Sequence, residues 1–193
     1  MRIDTLDITA PAIFGFGASF NEAEALGSAV WLWMHSPAHR DAPLHTLSAL
    51  LLPAIKTRQF VLATQLGKPV FFLSWANLNQ EAESRYLRNA PVCMNEQDWI
   101  SGDRMWILDW VAPFGHSRMM RHILERHLFP TWQARALYHR GNERGLRIKT
   151  FHGMAVLPEE ARHWFQTHPV ATNISSDTKP HDFFQTTTEG NSK

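Results

Sequence analysis

The run Ser101–Gly115, SGDRMWILDWVAPFG, constrains this chain more than any other stretch. From Met105 to Val111 it is apolar, rich in tryptophan and the length of a buried strand. Ala112-Pro113-Phe114-Gly115 then makes a turn, and a helical pattern opens at Ser117. A strand that ends in a Pro/Gly turn before a helix is a common ligand-binding position in α/β proteins. One residue breaks the apolar pattern. Asp109 lies between Leu108 and Trp110, and strand alternation sets it on the face of Met105 and Ile107. A carboxylate taken out of water there is costly unless it is paired or hydrogen-bonded. Asp109 either pins a loop by pairing with a core Arg or His, or it belongs to a catalytic site, where perturbed carboxylates gather.

The rest of the chain frames that strand. At 193 residues it is long enough for one well-cored domain, and eight Trp with twelve Phe supply a dense aromatic core. Residues 1–18 show no clear period and read as an irregular extension. Residues 19–170 read as the working domain, and 171–193, polar and Thr/Gly/Ser-rich, as a disordered tail. Within the domain, Ser19 and Glu22 form a capping-box signature for a helix through Met34. A helical stretch over 44–55 follows, interrupted by Pro53. Gln59–Gln65 and Pro69–Trp75 read as a hairpin across Leu66-Gly67-Lys68, and Asn79–Asn89 as a polar helix. Ser117–Leu128 is amphipathic, with Met119, Met120, Ile123 and Leu124 on its apolar side. A strand pair over 134–139 and 146–152 and a helix over 158–167 close the domain, giving a mixed α+β fold with a mostly antiparallel sheet.

Several chemistries drop out. A single cysteine, Cys93, excludes an internal disulfide and any multi-cysteine metal site, and its neighbours Glu96 and Asp98 do not favour a thiolate. His35 and His39 are four apart, but Pro37 lies between them and no third ligand follows, so no metal site is expected. No phosphate-cradling glycine motif and no Gly-x-Ser-x-Gly occurs. A net charge of +1 gives no case for nucleic acid, and no apolar run approaches a membrane span. The N-terminus carries no secretory signal pattern, so a soluble cytoplasmic protein is expected. Arg135, Arg140, Arg144, Arg147 and Lys149, with Arg118, Arg121 and Arg126 of the amphipathic helix, read as a positive face. Such a face is either a solvated surface or a dock for an acidic protein. His39, in a Ser-Pro-x-His-Arg turn, is the histidine that local sequence positions best; capping and solvent exposure remain open for it.

Seven ordered blocks now matter together: Trp31-Leu32-Trp33, Ser36-Pro37-Ala38-His39-Arg40, Leu52-Pro53-Ala54-Ile55, Ser74-Trp75-Ala76-Asn77-Leu78, Ser101-Gly102-Asp103-Arg104, Asp109 to Gly115, and Phe151-His152-Gly153. Over roughly residues 25–155 they closely resemble the RTX-toxin-activating lysine acyltransferases. The resemblance implies a fold like the Gcn5-related N-acetyltransferases and a cytoplasmic homodimer. It implies transfer of a fatty acyl group from acyl carrier protein, as a phosphopantetheine thioester, to internal lysine ε-amines of an RTX protoxin, with no bound cofactor. It also implies catalytic roles for His39 and Asp109 and a supporting role for Ser36. The carrier protein is acidic as a class, which makes Arg118, Arg121 and Arg126 candidate donor-binding residues. Two departures stand out: Leu50 replaces an Asn that often faces the site, and Leu73 replaces a frequent Cys. Competing readings are an acyl-CoA-dependent acyltransferase acting on another amine and a non-catalytic toxin-binding chaperone.

The chemistry that follows is amine acylation. A lysine with an unperturbed pKa near 10.4 is protonated at neutral pH, and holding it neutral costs about 4–5 kcal/mol. His39 is expected to take the proton, Asp109 to orient the imidazole, and backbone N–H groups of the turn at 112–115 to hold the oxyanion. An acyl-enzyme on Ser36 or His39 stays open.

Overall fold

The computed structural model describes residues 1–15, 20–89, 94–138 and 147–171. Among the described residues seven strands form one sheet in chain order: β1 (Arg2–Ile3), β2 (Leu6–Thr9), β3 (Phe60–Gln65), β4 (Lys68–Leu78), β5 (Arg104–Val111), β6 (Gln133–Tyr138) and β7 (Arg147–His152). Neighbours are antiparallel except β5 and β6. Parallel strands need a crossover, and helix α6 (Ser117–Ile123) with the turn after it supplies one. The other α-helices among the described residues are α1 (Pro11–Phe14), α2 (Glu22–Met34), α3 (Leu47–Leu50), α4 (Leu52–Lys56), α5 (Gln80–Arg88) and α7 (Pro158–Thr167). Among the described residues no helix is long and apolar enough to cross a membrane.

β4 carries the centre of the core. Its near-continuous apolar run is that of a strand covered on both faces. Phe71, Leu73 and Trp75 pack toward Met120, Ile123 and Leu124 of the α6 side. Phe72 packs toward Leu32, Trp33 and Ile55 of α2 and α4, while Ala76 and Leu78 join Trp99 and Trp106. Leu66 and Gly67 turn β3 into β4 with φ of 50° and 77°. Two left-handed positions in a row match the twist of the hairpin, which explains the glycine.

Several expectations need correction. Residues 2–9 are a hairpin that extends the sheet, with Asp7↔Thr64 and Thr9↔Leu62 pairing β2 to β3, so the irregular N-terminal extension is wrong for this part. Helix α2 is capped by Asn21, whose side chain accepts from the Glu24 N–H at 3.1 Å; Ser19 lies outside the described residues. β4 runs on to Leu78 because its apolar face continues under α5. Met119 is exposed, and the apolar side of its helix is carried by Met120, Ile123, Leu124 and Leu128. The segment Leu124–Leu128 winds as a π-helical turn. Cys93, Arg140, Arg144 and the tail beyond Ala171 lie outside the described residues.

Arg135 does not join a positive surface. It is buried, and with Arg104 it holds the fully buried carboxylate of Glu83. Glu83 accepts from Arg104 Nη1 at 2.7 Å, Trp106 Nε1 at 2.8 Å, Ala171 N at 3.0 Å and Arg135 Nη1 at 3.4 Å. Burial pushes the Arg135 guanidinium below its usual pKa; Glu83 opposes that shift and Arg104 adds to it. The two arginines also donate to the His168 and Pro169 carbonyls, which ties the end of α7 to the sheet.

Candidate active site

The site is set by an irregularity in β5. Ser74 pairs with Asp109, but the next residue of β4, Trp75, pairs with Ile107. Leu108 is therefore an extra residue, and the bulge re-phases everything beyond it. Before the bulge, Met105 and Ile107 face α6. After it Trp110 takes that face, edge-on to Phe71 at 5.1 Å and donating to Ser117 Oγ at 3.0 Å. Asp109 consequently turns to the opposite face, toward α2. Simple alternation had put it with Met105 and Ile107, and the bulge overturns that.

On the α2 side the carboxylate finds two partners. Trp33 Nε1 donates to Oδ2 at 2.7 Å, and His39 Nε2 stands 3.1 Å from Oδ1. The His39 ring lies against Trp33 with centroids 5.0 Å apart. Its other nitrogen, Nδ1, is 2.8 Å from Ser36 Oγ. The turn that delivers it is fixed by the backbone: Ser36 N donates to Trp33 O at 3.0 Å, and His39 N to Ser36 O at 3.0 Å. Pro37 suits this position because helix α2 ends at Met34 and the residue before a proline leaves the helical region. Burial is graded across the pair, with 10% of the Asp109 side chain exposed and 24% of His39.

Hydrogen-bond chemistry assigns the protons. A carboxylate only accepts, so with neutral imidazole Nε2 carries the hydrogen toward Asp109. Nδ1 is then the lone-pair nitrogen, and the Ser36 hydroxyl donates to it. Ser36, His39 and Asp109 thus form a chain from a hydroxyl through an imidazole to a largely covered carboxylate, an arrangement that can activate an oxygen or pass on a proton. Burial pushes the Tyr86 phenol well above its usual pKa, and the charge of Asp109 adds to the shift.

The remaining expected residues fall elsewhere. His35 bonds the Trp31 carbonyl through Nδ1 at 2.7 Å and faces Phe114, so the two histidines of the turn do not converge. The N–H of Gly115 engages the Ala112 carbonyl at 3.3 Å, which commits one of the donors expected for an oxyanion. Leu50 packs on the apolar cluster that holds Trp33 and Val111. Arg118, Arg121 and Arg126 are exposed on α6 and its π-helical turn, across the sheet from His39. Arg121 pairs with Glu125 at 2.8 Å.

Two residues were missed. Trp33 reads in sequence as one member of an apolar stripe, and its indole N–H becomes a partner of Asp109. Ser74 lies across from Asp109, is fully buried, and has no hydrogen-bond partner for Oγ among the described residues. A serine in the middle of an apolar strand was the available signal.

The profile of the HlyC RTX toxin acyltransferase family matches residues 18–152. The chain belongs to the RTX toxin acyltransferase family. It is similar to the RTX-I toxin-activating lysine-acyltransferase ApxIC of Actinobacillus pleuropneumoniae, 42% identical over 77% of this chain and 85% of the relative. The leukotoxin-activating lysine-acyltransferase LtxC of Aggregatibacter actinomycetemcomitans is 38% identical over 77% and 87%. The protein-lysine myristoyltransferase HlyC of Escherichia coli is 36% identical over 80% and 89%. The matched span contains α2, the Ser36–His39 turn and the whole of β5, so the site lies inside the family region.

Proposed function

We propose that this chain is a protein-lysine acyltransferase that moves a fatty acyl group from acyl carrier protein to internal lysine ε-amines of an RTX protoxin. The observation that carries the reading is the Ser36–His39–Asp109 chain, with its links of 2.8 and 3.1 Å, in a member of this family. Attack of the amine on the thioester carbon forms the amide bond and breaks the carbon–sulfur bond. The amine loses a proton and the carrier thiol gains one. His39 Nδ1 is the free base of the chain and takes that proton, directly or through the Ser36 hydroxyl. Asp109, held by Trp33, stabilises the imidazolium that results. A Gcn5-type fold, a homodimer and a cytoplasmic setting accompany this reading on family resemblance. The exposed Arg118, Arg121 and Arg126 are the surface offered to the acidic carrier protein.

The bond between Ser36 Oγ and His39 Nδ1 favours a second route. Ser36 Oγ attacks the thioester, His39 takes the hydroxyl proton and returns it to the leaving thiol, and an acyl-serine forms. The lysine amine then attacks the ester carbon, and Oγ leaves with the proton that the amine gives up through His39. Incubation with acyl carrier protein thioester and no protoxin separates the routes: an acyl mass on the Ser36 peptide selects the second.

The test of the function itself is the intact mass of a candidate protoxin co-expressed with this chain. An acyl-sized gain that is lost with His39→Ala and with Asp109→Ala supports the reading. A gain that survives both substitutions removes these residues from the chemistry. The double reversal Arg121→Glu, Arg126→Glu should weaken carrier binding, and unchanged binding would remove the docking surface.

A further inference from the structure

Helix α2 grips β5 and the turn after it from two flanks. Successive residues of an α-helix are about 100° apart, so Trp31 and Trp33 lie on nearly opposite sides of α2, while Trp31 and His35 share one side. Trp33 takes one flank. Its Nε1 donates to Asp109 Oδ2 at 2.7 Å, and its ring lies 5.0 Å from that of His39. Trp31 and His35 take the other flank. Their rings meet at 4.1 Å, and both meet the ring of Phe114, at 5.5 Å and 5.4 Å. His35 Nδ1 donates to the Trp31 carbonyl at 2.7 Å, which fixes the imidazole over the indole.

Burial does not account for this three-ring clamp. Phe114 is 44% exposed and His35 is exposed, so no core draws the rings together. Aromatic pairs at such separations attract on their own. Their places in the chain give the clamp its purpose. His35 directly precedes Ser36, and His35 N and Ser36 N donate to the Leu32 and Trp33 carbonyls at 3.1 and 3.0 Å. The ring of His35 and the Ser36–His39 turn are therefore held as one piece. On the other side, the ladder between β4 and β5 stops at Phe72↔Val111. Pro113 and Gly115 (φ 86°), whose N–H engages the Ala112 carbonyl at 3.3 Å, stiffen the turn that carries Phe114 onward from Asp109 and Val111.

One attachment leaves the end of a helix able to swing about it. A second on the opposite flank removes that rotation. The swing matters because it would open the 3.1 Å contact between His39 Nε2 and Asp109. A reacting group misplaced by about 1 Å costs on the order of a hundredfold in rate. We propose that Phe114 is a positioning residue: through Trp31 and His35 it locks the end of α2 against β5 and holds His39 in register with Asp109. As a statement about turnover, this rests on the acyl-transfer reading above. It gives an exposed ring a part in the reaction without contact to either substrate.

Kinetics and a proton-exchange measurement on the full chain test this. Phe114→Ala should lower kcat for protoxin acylation about tenfold or more, with the KM of carrier protein and of protoxin each within about twofold of wild type. Phe114→Tyr, which keeps the ring, should restore the rate. His35→Ala, at an exposed position past the end of α2, should lower kcat in the same way and stands in if Phe114→Ala folds poorly. In protein carrying isotope-labelled histidine, the His39 Nε2 proton should exchange with water about tenfold faster in Phe114→Ala than in the wild type. Phe114→Tyr should keep the wild-type exchange. An unchanged kcat in Phe114→Ala and His35→Ala overturns the proposal, and so does a fall in kcat with unchanged exchange. A rise in KM with kcat held makes Phe114 a substrate contact and overturns it as well. Exchange is read without carrier or protoxin. Faster exchange in Phe114→Ala, beside a wild type that acylates no protoxin, keeps the clamp and counts against the transferase reading.

Discussion

Two carboxylates, the fully buried Glu83 and the largely covered Asp109, are built into similar surroundings and answered differently. Each accepts from a tryptophan indole, Trp106 at 2.8 Å and Trp33 at 2.7 Å. Glu83 comes from α5 and Asp109 from β5, and each lies between the sheet and its helices. They differ in the cation. Glu83 is fully buried and faces two arginines, with a backbone N–H closing the set, so its charge is permanently answered. Asp109 faces one imidazole, which is 24% exposed and so open to solvent. A permanently answered charge fastens structure, here the end of α7 to the sheet. A charge answered by a single, partly exposed ring is the one the proposed reaction uses. The comparison turns on the partner, because the carboxylates and their indole donors are alike.

The sharpest way to break the comparison is Asp109→Asn. It keeps shape and removes the charge that supports an imidazolium, and transfer should fall about 1000-fold in single-turnover assays while the chain stays folded. A loss of only a few-fold would mean that His39 works without it. Next, Glu83→Gln leaves Arg104 and Arg135 buried without their countercharge. Stability should fall by about 3 kcal/mol, read from the urea midpoint at constant slope. Transfer per folded molecule should hold, and a specific loss of turnover would put Glu83 in the chemistry as well. Trp33→Phe removes one charge-assisted hydrogen bond from Asp109, and turnover should drop about tenfold with little change in the acceptor KM. The smallest effect separates packing from function at Ser74. Replacing an unpartnered buried hydroxyl by Ser74→Ala should leave stability level or raise it by about 1 kcal/mol. A large fall in turnover would show that the hydroxyl meets the reacting group.

Much of the fold was legible because its elements announce themselves locally. Helix α7 begins at Pro158 and ends at Thr167 where composition put it, and the β3–β4 hairpin follows from Leu66-Gly67. β1 and β2 were not legible. Four residues, LDIT, carry too short an alternation to read, and their strand character comes from pairing with β3. Arg135 was misread, and Glu83 within the polar helix passed unremarked, for one physical reason. Charged residues on a polar helix and in a basic stretch look solvated until tertiary packing brings opposite signs together. His39 and Asp109 lie in different elements, and no local spacing joins them; their pairing was expected from family resemblance, and the geometry now supplies it. The bulge escaped notice because an extra residue in a strand leaves the sequence looking like strand.

That extra residue has a consequence for how the protein tolerates change. Leu108 has no partner of its own on β4, and its exclusion from the ladder matters more than its side chain. Any apolar residue there keeps the count, so scanning by substitution would pass over it in silence. Straightening the bulge, so that Leu108 takes the place opposite Ser74, would swing the aspartate to the far side of the sheet and bring Trp110 round to face the histidine, with every side chain retained. In this strand, the side a residue faces is written in the pairing as much as in the sequence.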